Sequence, residues 1–390
     1  MRVLLTTDWN PTSVNGVVTS VNNLKKGLED RGHEVRVLTL SNTQHSYMEE
    51  DYYYMGSANA QLIYPGLRVR TTLSHPMVKE ILSWNPDIVH SNCEFSSFFP
   101  AWKISHHLHI PLVHTYHTVY EDYTHYFCPS ARVGRFAVKE FSKFIAGRTD
   151  CVITPTEKVK QLLLDYNVTQ RLAVIPTGIS CERFEKKVAK EAILTLKHTL
   201  GIPEDYLVLL FVGRLSKEKN AEELLSYMSK LKEKPVFLLI VGDGPYGETL
   251  KAEAEKLELS DQVLFTGMIP QELIPNYYKL GDLFTNASTS ETQGLTYIEA
   301  VSSGLPLLCR ADSCLDGVVY DGENGWQYHT EDDFMEHINW CLEHKEQMPR
   351  MSQRSREIGK NYSVPVFAEK VEALYEELIE HYIMPQEDTL

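Results

Sequence analysis

The chain of 390 residues has little of what would place it outside a reducing compartment. Its seven cysteines (Cys93, Cys128, Cys151, Cys181, Cys309, Cys314, Cys341) are odd in number, scattered, and include no C-x-x-C pair. That spacing favours neither a disulfide framework nor a zinc site, and reduced thiols packed as small hydrophobes are the plain reading. Long apolar runs are missing too. Nothing approaches the roughly 18 to 20 residues of a spanning helix, and Val3–Leu5 before Asp8 is too short for the apolar core of a signal peptide. Positive charge is scarce: 38 Lys+Arg against 53 Asp+Glu leaves −15, which argues against general nucleic-acid binding. The deficit is uneven, however. Residues 1–172 carry 17 basic and 16 acidic side chains, net +1, and the remainder carries 21 and 37, net −16.

What is present is an alternation of short β-branched or aliphatic runs with amphipathic stretches of helical length, the pattern of β-α repeats on a parallel sheet. With 43% hydrophobic residues, the length suits two domains. Strands are predicted at Val3–Thr7, Val35–Leu40, Asp87–Ser91, Leu112–Thr115 and Cys151–Thr154, with a helix over Val18–Asp30 closed by Gly32. The break at Pro176-Thr177-Gly178, before the polar stretch Cys181–Lys190, marks a linker, so the expected division is residues 1–175, a hinge over 176–182, and residues 183–365. The second half repeats the alternation at Leu207–Val212, Phe237–Val241, Val263–Thr266, Asp282–Asn286 and Leu305–Cys309. These runs are almost wholly apolar, as in strands covered on both faces. Two doubly wound α/β domains follow. A last helix is expected over residues 366–384, with Phe367, Val371, Leu374, Leu378 and Tyr382 on one face.

Candidate chemistry gathers where predicted strands end. After the strand closing near Asn286 stands Ser290-Glu291-Thr292-Gln293-Gly294-Leu295-Thr296-Tyr297-Ile298-Glu299. Glu291 falls on a loop and Glu299 inside a helix, with the amides of Gly294, Leu295 and Thr296 at the helix start, where phosphate is attracted. An ordinary helix start with acidic residues favourable to the dipole has the same appearance. Gly213-Arg214-Leu215-Ser216-Lys217-Glu218-Lys219 follows another buried strand, so Arg214 and Lys219 could neutralise a diphosphate or form a solvated charge run. Gly242-Asp243-Gly244-Pro245 reads as a tight turn lining a base pocket, since the later glycine of a dinucleotide fingerprint is absent. In the first half, Asn15 and Gly16 lie in the first strand-to-helix loop, where glycine would let the backbone approach a phosphate or sugar. His117, just past the strand Leu112–Thr115, is placed to bond a sugar hydroxyl or polarise a reacting centre. The neighbouring His106, His107, His109 and His114 span a helix end, a proline and a strand, and need not converge on a metal.

Taken together, the Asn15-Gly16 loop, His117, Arg214 with Lys219, and Glu291-x7-Glu299 resemble the retaining, metal-independent glycosyltransferases of family 4 over essentially the whole chain. His114-Thr115-Tyr116-His117-Thr118 with Tyr120-Glu121-Asp122-Tyr123 looks like the bacterial enzymes that glucosylate 1,2-diacylglycerol. The resemblance implies the GT-B fold: two Rossmann-like domains facing across a cleft, with the final helix crossing back to the first. It implies that Arg214 and Lys219 hold the donor diphosphate, Glu299 the ribose, Glu291 the sugar, and His117 that sugar near its reacting end. The Gly16 loop would close over the phosphates. Asn15 stands where many members carry a second glycine; because Asn tolerates left-handed backbone, the loop conformation is expected to survive.

No cofactor and no metal are implied, the UDP-sugar being a substrate. The activity expected from the resemblance is transfer of glucose from UDP-glucose to diacylglycerol at the cytoplasmic face of the cell membrane. Addition of a glucose or galactose to monoglucosyl-diacylglycerol is the near alternative, and a nucleotide-sugar isomerase, a soluble transferase or a non-catalytic binding module the remoter ones. Membrane contact is sought in Arg132–Ile145, where Arg132, Arg135, Lys139 and Lys143 form a basic stripe and Val133, Phe141, Phe144 and Ile145 fall opposite. A domain helix with a solvated basic face fits the same pattern. Tyr120 and Tyr123, with Tyr126 and Phe127, suit an acyl-chain entrance or a core.

Overall fold

A computed structural model describes residues 1–13, 15–60, 68–71, 75–121 and 130–382. The chain divides into two compact units, Met1–Ile179 with the segment from Val364 onward, and Ser180–Ser363.

Unit 1 is an eight-stranded sheet of β1 (Arg2–Thr6), β2 (Glu34–Leu40), β3 (Tyr47–Glu49), β4 (Tyr52–Met55), β7 (Ile88–Ser91), β8 (Leu112–Thr115), β9 (Cys151–Thr154) and β10 (Arg171–Val174). A separate antiparallel pair is formed by β5 (Ser57–Asn59) and β6 (Arg68–Arg70). The order is β10-β9-β8-β7-β1-β2-β4-β3, parallel except where β3 runs against β4. Because strand side chains alternate, β1 sends Val3 and Leu5 to one face and Leu4 to the other. The first face is covered by the helices Gly16–Asp30 and Val364–Glu380, through Leu24, Leu28, Phe367, Val371 and Tyr375. These helices cross so closely that a Cβ on Gly27 would lie 2.7 Å from the Cβ of Ala368. The opposite face packs Phe98, Ala101 and Ile104 of the helix Phe98–Leu108. Gly32 (φ +86°) ends the first helix as expected, its amide bonding to the carbonyl of Glu29.

Unit 2 carries β11 (Leu207–Val212), β12 (Val236–Val241), β13 (Val263–Phe265), β14 (Leu283–Asn286), β15 (Leu307–Arg310) and β16 (Gly325–Tyr328), all parallel, in the order β13-β12-β11-β14-β15-β16. Every residue of β11 and β12 is buried, which accounts for their unbroken apolar sequences. The strand order reverses between β11 and β14 here, and between β1 and β7 in unit 1. Ligands of open α/β sheets bind at such switch points, beyond the carboxyl ends of the strands.

The segment expected to be a hinge is largely built into structure. Thr177 Oγ1 lies 3.2 Å from Ser20 Oγ, and Asn23 donates to the carbonyl of Gly178 at 2.8 Å, both within unit 1. Cys181 and Glu182 open a helix of unit 2, Cys181–Glu185. The last helix starts at Val364 and ends at Glu380. The described cysteines are all free and buried, and Cys128 lies outside the described residues.

Candidate functional site

Residues picked out by sequence in unit 2 converge on its switch point. The loop after β11 enters a short 3-10 turn, Lys217–Lys219, and the loop after β14 delivers Glu291, so that Lys219 Nζ and Glu291 Oε1 stand 2.6 Å apart. Both are largely shielded from solvent, which makes the pair stronger than a surface bridge and gives either partner a high cost of standing alone. Ser216 Oγ donates to Glu218 Oε1 at 2.7 Å within the same loop. Arg214 opens the loop with an exposed side chain.

Gly294 adopts a left-handed conformation (φ +70°) as the N-cap of the helix Leu295–Ser303, where a Cβ would strike the Tyr297 ring at 2.4 Å. The amides of Leu295 and Thr296 thus belong to a first helical turn, whose N–H groups have no carbonyl partner within the helix. One turn on, Glu299 accepts a 2.7 Å hydrogen bond from Tyr278 Oη. Burial pushes its carboxyl up to about 7, against the pull of Tyr278 and Arg183.

The Gly-Asp-Gly turn has a packing explanation. A Cβ on Gly242 (φ +137°) would sit 1.9 Å from the Gly213 carbonyl oxygen, and one on Gly244 2.3 Å from that of Leu215. Both glycines let the loop after β12 lie against the loop after β11, with the Leu215 amide bonded to the Asp243 carbonyl at 3.0 Å. Asp243 itself is exposed, its carboxylate accepting from the Gly244 amide at 2.7 Å.

In unit 1 the switch point gathers polar groups that are buried. His117 Nε2 lies 3.0 Å from Asn92 Oδ1, so Nε2 carries the proton and Nδ1 is the acceptor of a neutral ring. Burial, with His114 nearby, holds the His117 imidazole down to about 3. It can therefore accept a hydrogen bond from a hydroxyl at neutral pH and is not a cation there. Glu94, only 4% exposed, accepts from Tyr120 Oη and lies 3.3 Å from His114 Nε2. Asp8 accepts from the amides of Ser96 and Ser97 at 3.0 and 2.6 Å, fixing the turn that carries Glu94; burial raises its carboxyl to about 6. His90 bridges Tyr375 Oη (2.5 Å) and Thr115 Oγ1 (2.6 Å), linking the last helix to the strand before His117. Asp8, Asn92 and Glu94 were not singled out from sequence. All three follow predicted strands directly, and the strand-end rule that selects His117 applies equally to them.

Several expectations need correction. Asn15 is not left-handed: its backbone is extended (φ −161°, ψ 167°), and its side chain caps the first helix by accepting from the Val18 amide at 2.9 Å. Gly16 is the first helical residue and is not among the positive-φ positions, so glycine's freedom is not what that loop uses. Tyr120 does not stand open as an acyl entrance, because its hydroxyl is committed to Glu94 and burial raises it well above the usual phenol range. Tyr123, Tyr126 and Phe127 lie outside the described residues. In the helix Ala131–Ala146 the buried face is Gly134, Val138, Ser142, Ile145 and Ala146, so Val133 and Phe144 do not oppose the basic stripe. They join Phe136 (67% exposed) on the solvent side with Arg132 and Arg135. Lys139 bonds to the Asp165 carbonyl at 3.1 Å and Lys143 to Glu140 at 3.2 Å. Among the described residues no helix is long and apolar enough to cross a membrane.

Two Rossmann-like units with charged or polar residues at each switch point define a transferase of the GT-B class, and comparison with known proteins agrees. The profile described as Glycosyltransferase Family 4 matches residues 14–183, and that of Glycosyl transferases group 1 matches residues 193–358. The chain is 36% identical over 343 residues to an alpha-monoglucosyldiacylglycerol synthase of Streptococcus pneumoniae, covering 85% of this chain and 76% of that protein. It is 31% identical over 393 residues to the alpha-monoglucosyldiacylglycerol synthase of Acholeplasma laidlawii, covering 97% and 98%. The chain belongs to glycosyltransferase family 4 and is a glycosyltransferase. In fold it is similar to sucrose-phosphate synthase from Thermosynechococcus elongatus (TM-score 0.77, 20% identity, 97% and 99% covered). It is likewise similar to Anabaena HepE in complex with UDP-glucose (TM-score 0.74, 16% identity, 97% and 100% covered).

Proposed function

We propose that this enzyme transfers glucose from UDP-glucose to the hydroxyl of 1,2-diacylglycerol, with retention, at an anionic membrane surface and without a metal ion. The observation that carries the donor half of the reading is the shielded Lys219–Glu291 pair beside the helix start at Gly294. A UDP-sugar brings a diphosphate, a ribose and a hexose. Arg214, Lys219 and the amides of Leu295 and Thr296 are assigned to the diphosphate, Glu299 to ribose hydroxyls and Glu291 to the sugar. Breaking the bond from the anomeric carbon to phosphate oxygen moves negative charge onto the leaving diphosphate. Fixed cations and amides stabilise that charge without reorganising. The acceptor oxygen bonds to the anomeric carbon on the face the phosphate leaves, and its proton passes to a departing phosphate oxygen. The neutral ring of His117 is assigned to accept from a sugar hydroxyl through Nδ1, with Asn92 holding the tautomer. The amides at the start of the first helix, by Asn15 and Gly16, are assigned to the phosphates.

The acceptor reading is supported by the two synthase relatives and by the solvent face of Ala131–Ala146, where Val133, Phe136 and Phe144 are exposed among basic residues. Apolar and basic side chains on one exposed face suit an anionic lipid surface better than either alone.

The test is UDP release and product analysis with UDP-glucose and UDP-galactose against diacylglycerol and monoglucosyl-diacylglycerol, in neutral and anionic vesicles. Glucosyl-diacylglycerol from UDP-glucose is expected, and a chain that makes no glycolipid from any combination refutes the lipid acceptor. Replacing Arg135 by Glu and Phe136 by Ser should reduce sedimentation with anionic vesicles and leave UDP binding intact. Unchanged sedimentation removes this helix as the contact.

A further inference from the structure

Unit 2 has a second charged feature at the other end of its sheet. A pocket of ≈ 450 Å³ is lined by Lys279, Asp282, Ser303, Lys345, Ser352 and Arg356, among others. Asp282 directly precedes β14 and Leu305, also in the lining, precedes β15, so the pocket opens at the amino ends of the strands, away from Lys219 and Glu291. Its volume is in the range of small-ligand sites, about 300–1,000 Å³.

The lining carries three cations against one acid, Asp282, which interacts with Lys345 beyond ion-pair distance. Among the described residues no carboxylate lies within ion-pair distance of Lys279, Lys345 or Arg356. Lys279 Nζ donates to the carbonyls of Phe184 (2.5 Å) and Ser303 (3.0 Å), which engages two of its three protons. Arg356 lays its guanidinium on Gly304, where a Cβ would be 2.5 Å from Cζ, so the absence of a side chain there sets the position of the group. Asp282 is the acid of the lining, and its carboxylate accepts from the Val208 amide at 2.9 Å.

Ser303 lines the same pocket. The residue is 4% exposed, and its Oγ is buried without a hydrogen-bond partner. An unpaired buried hydroxyl is destabilising unless something else satisfies it. Capping of the helix Leu295–Ser303 by Lys279 accounts for that lysine alone; it leaves Ser303 Oγ, Lys345 and Arg356 without a role. Burial and the neighbouring Arg356 depress the Lys279 ammonium to about 8, with Glu185 opposing.

We propose that this pocket binds a phosphate-bearing anion, held by Lys279, Lys345 and Arg356. The chemistry is that of a phosphomonoester, which a free metabolite or a lipid headgroup can both present. Two charge-assisted contacts are removed together in Lys345→Gln/Arg356→Gln, both of whose positions are exposed and outside the donor site.

The experiment is calorimetric titration of the full chain at constant ionic strength, with saturating UDP to occupy the donor site. The probes are inorganic phosphate, glycerol 3-phosphate, and short-chain phosphatidic acid below its micellar concentration. Glycerol serves as the neutral control. At least one phosphate probe should bind while glycerol does not, and the double variant should weaken that binding by about tenfold or more. Lys232→Gln, which removes a surface cation paired with Glu258 at 3.2 Å, should leave it unchanged. Binding by the water-soluble phosphates points to a free anion, and binding by phosphatidic acid alone to a headgroup. Absence of binding by all three probes overturns the proposal, and so does undiminished affinity in the double variant. Retained UDP affinity reports that the variant is folded; were it lost, the single Lys345→Gln variant carries the same comparison.

Discussion

The two units share a doubly wound parallel core, eight-stranded with an antiparallel margin in unit 1 and six-stranded in unit 2, but equip their switch points differently. In unit 2 the switch point holds opposite charges within contact of each other, Lys219 and Glu291, with the exposed Arg214 at the entry to the same loop. In unit 1 it holds polar groups under cover, where burial keeps His117 and His90 neutral and raises Asp8. A charged site suits a ligand that arrives with charge and leaves with more of it. A neutral, hydrogen-bonding site suits hydroxyls, where direction counts and charge would have to be desolvated. One sheet topology, used twice, thus carries two different sets of groups in the loops at its switch points.

That contrast can be broken at several strengths. The largest effect is expected from Lys219→Ala, which removes the cation assigned above to the donor diphosphate and breaks the pair with Glu291. Turnover should fall more than about tenfold with the fold intact, because a charge interaction made in the transition state is lost. Near-normal steady-state rates would take Lys219 out of the site. Next comes Tyr278→Phe. Without that donor Glu299 should titrate still higher and hold ribose less well, raising KM for the donor by roughly threefold to tenfold with little change in kcat. A fall in kcat at constant KM would contradict the ribose assignment.

The pH dependence of stability separates the units further. His117 has a folded value of about 3, below the ordinary 6.5 of an imidazole, so the unfolded chain binds more protons across that window and stability rises with pH through it. Glu299, raised from 4.5 to about 7, has the opposite sign: the folded chain binds more protons and stability falls as pH rises through that interval. In melting curves from pH 4 to 8, Glu299→Gln should remove a decline between pH 4.5 and about 7, and His117→Gln a rise with pH that ends near 6.5. If each variant keeps the wild-type slope, these groups are not shifted as the structure indicates. The smallest effect is expected from Asn15. Asn15→Ala should cost about 1 kcal/mol by loss of the N-cap and Asn15→Gly only a few tenths, measured by denaturant unfolding. Equal losses would mean that the cap is not what Asn15 contributes.

Much of this was legible in the sequence because its physics is local. The fully buried strands β11 and β12 announce themselves as unbroken apolar runs, and the strand-end rule then leads to Lys219, Glu291 and His117. The short strands β3 to β6 were not legible, since three or four residues at a sheet margin carry too little pattern. Nor was the packing of Ala131–Ala146. Its period was clear, but which side is buried depends on Tyr116 and Leu163, partners remote in sequence. Asn15 misled for a different reason: the residue that tolerates left-handed backbone is also among the best helix caps, and the choice between the two is made by the chain direction entering the helix. Glu94 and Asp8 stand at strand ends like His117, but their burial rests on contacts between separate loops, Asp8 with the amides of Ser96 and Ser97 and Glu94 with Tyr120, which no local pattern announces.

The closing helix Val364–Glu380 has a consequence for how the molecule is made. Unit 2 is one uninterrupted segment, but the core of unit 1 needs Phe367, Val371 and Tyr375, which are synthesised only after all of unit 2. On the ribosome the first half of the chain waits with one face of its sheet covered by the helix Gly16–Asp30 alone, while the second half is already able to fold. The Tyr375–His90–Thr115 linkage then forms last, so the switch point of unit 1 acquires its final support only when translation is nearly over.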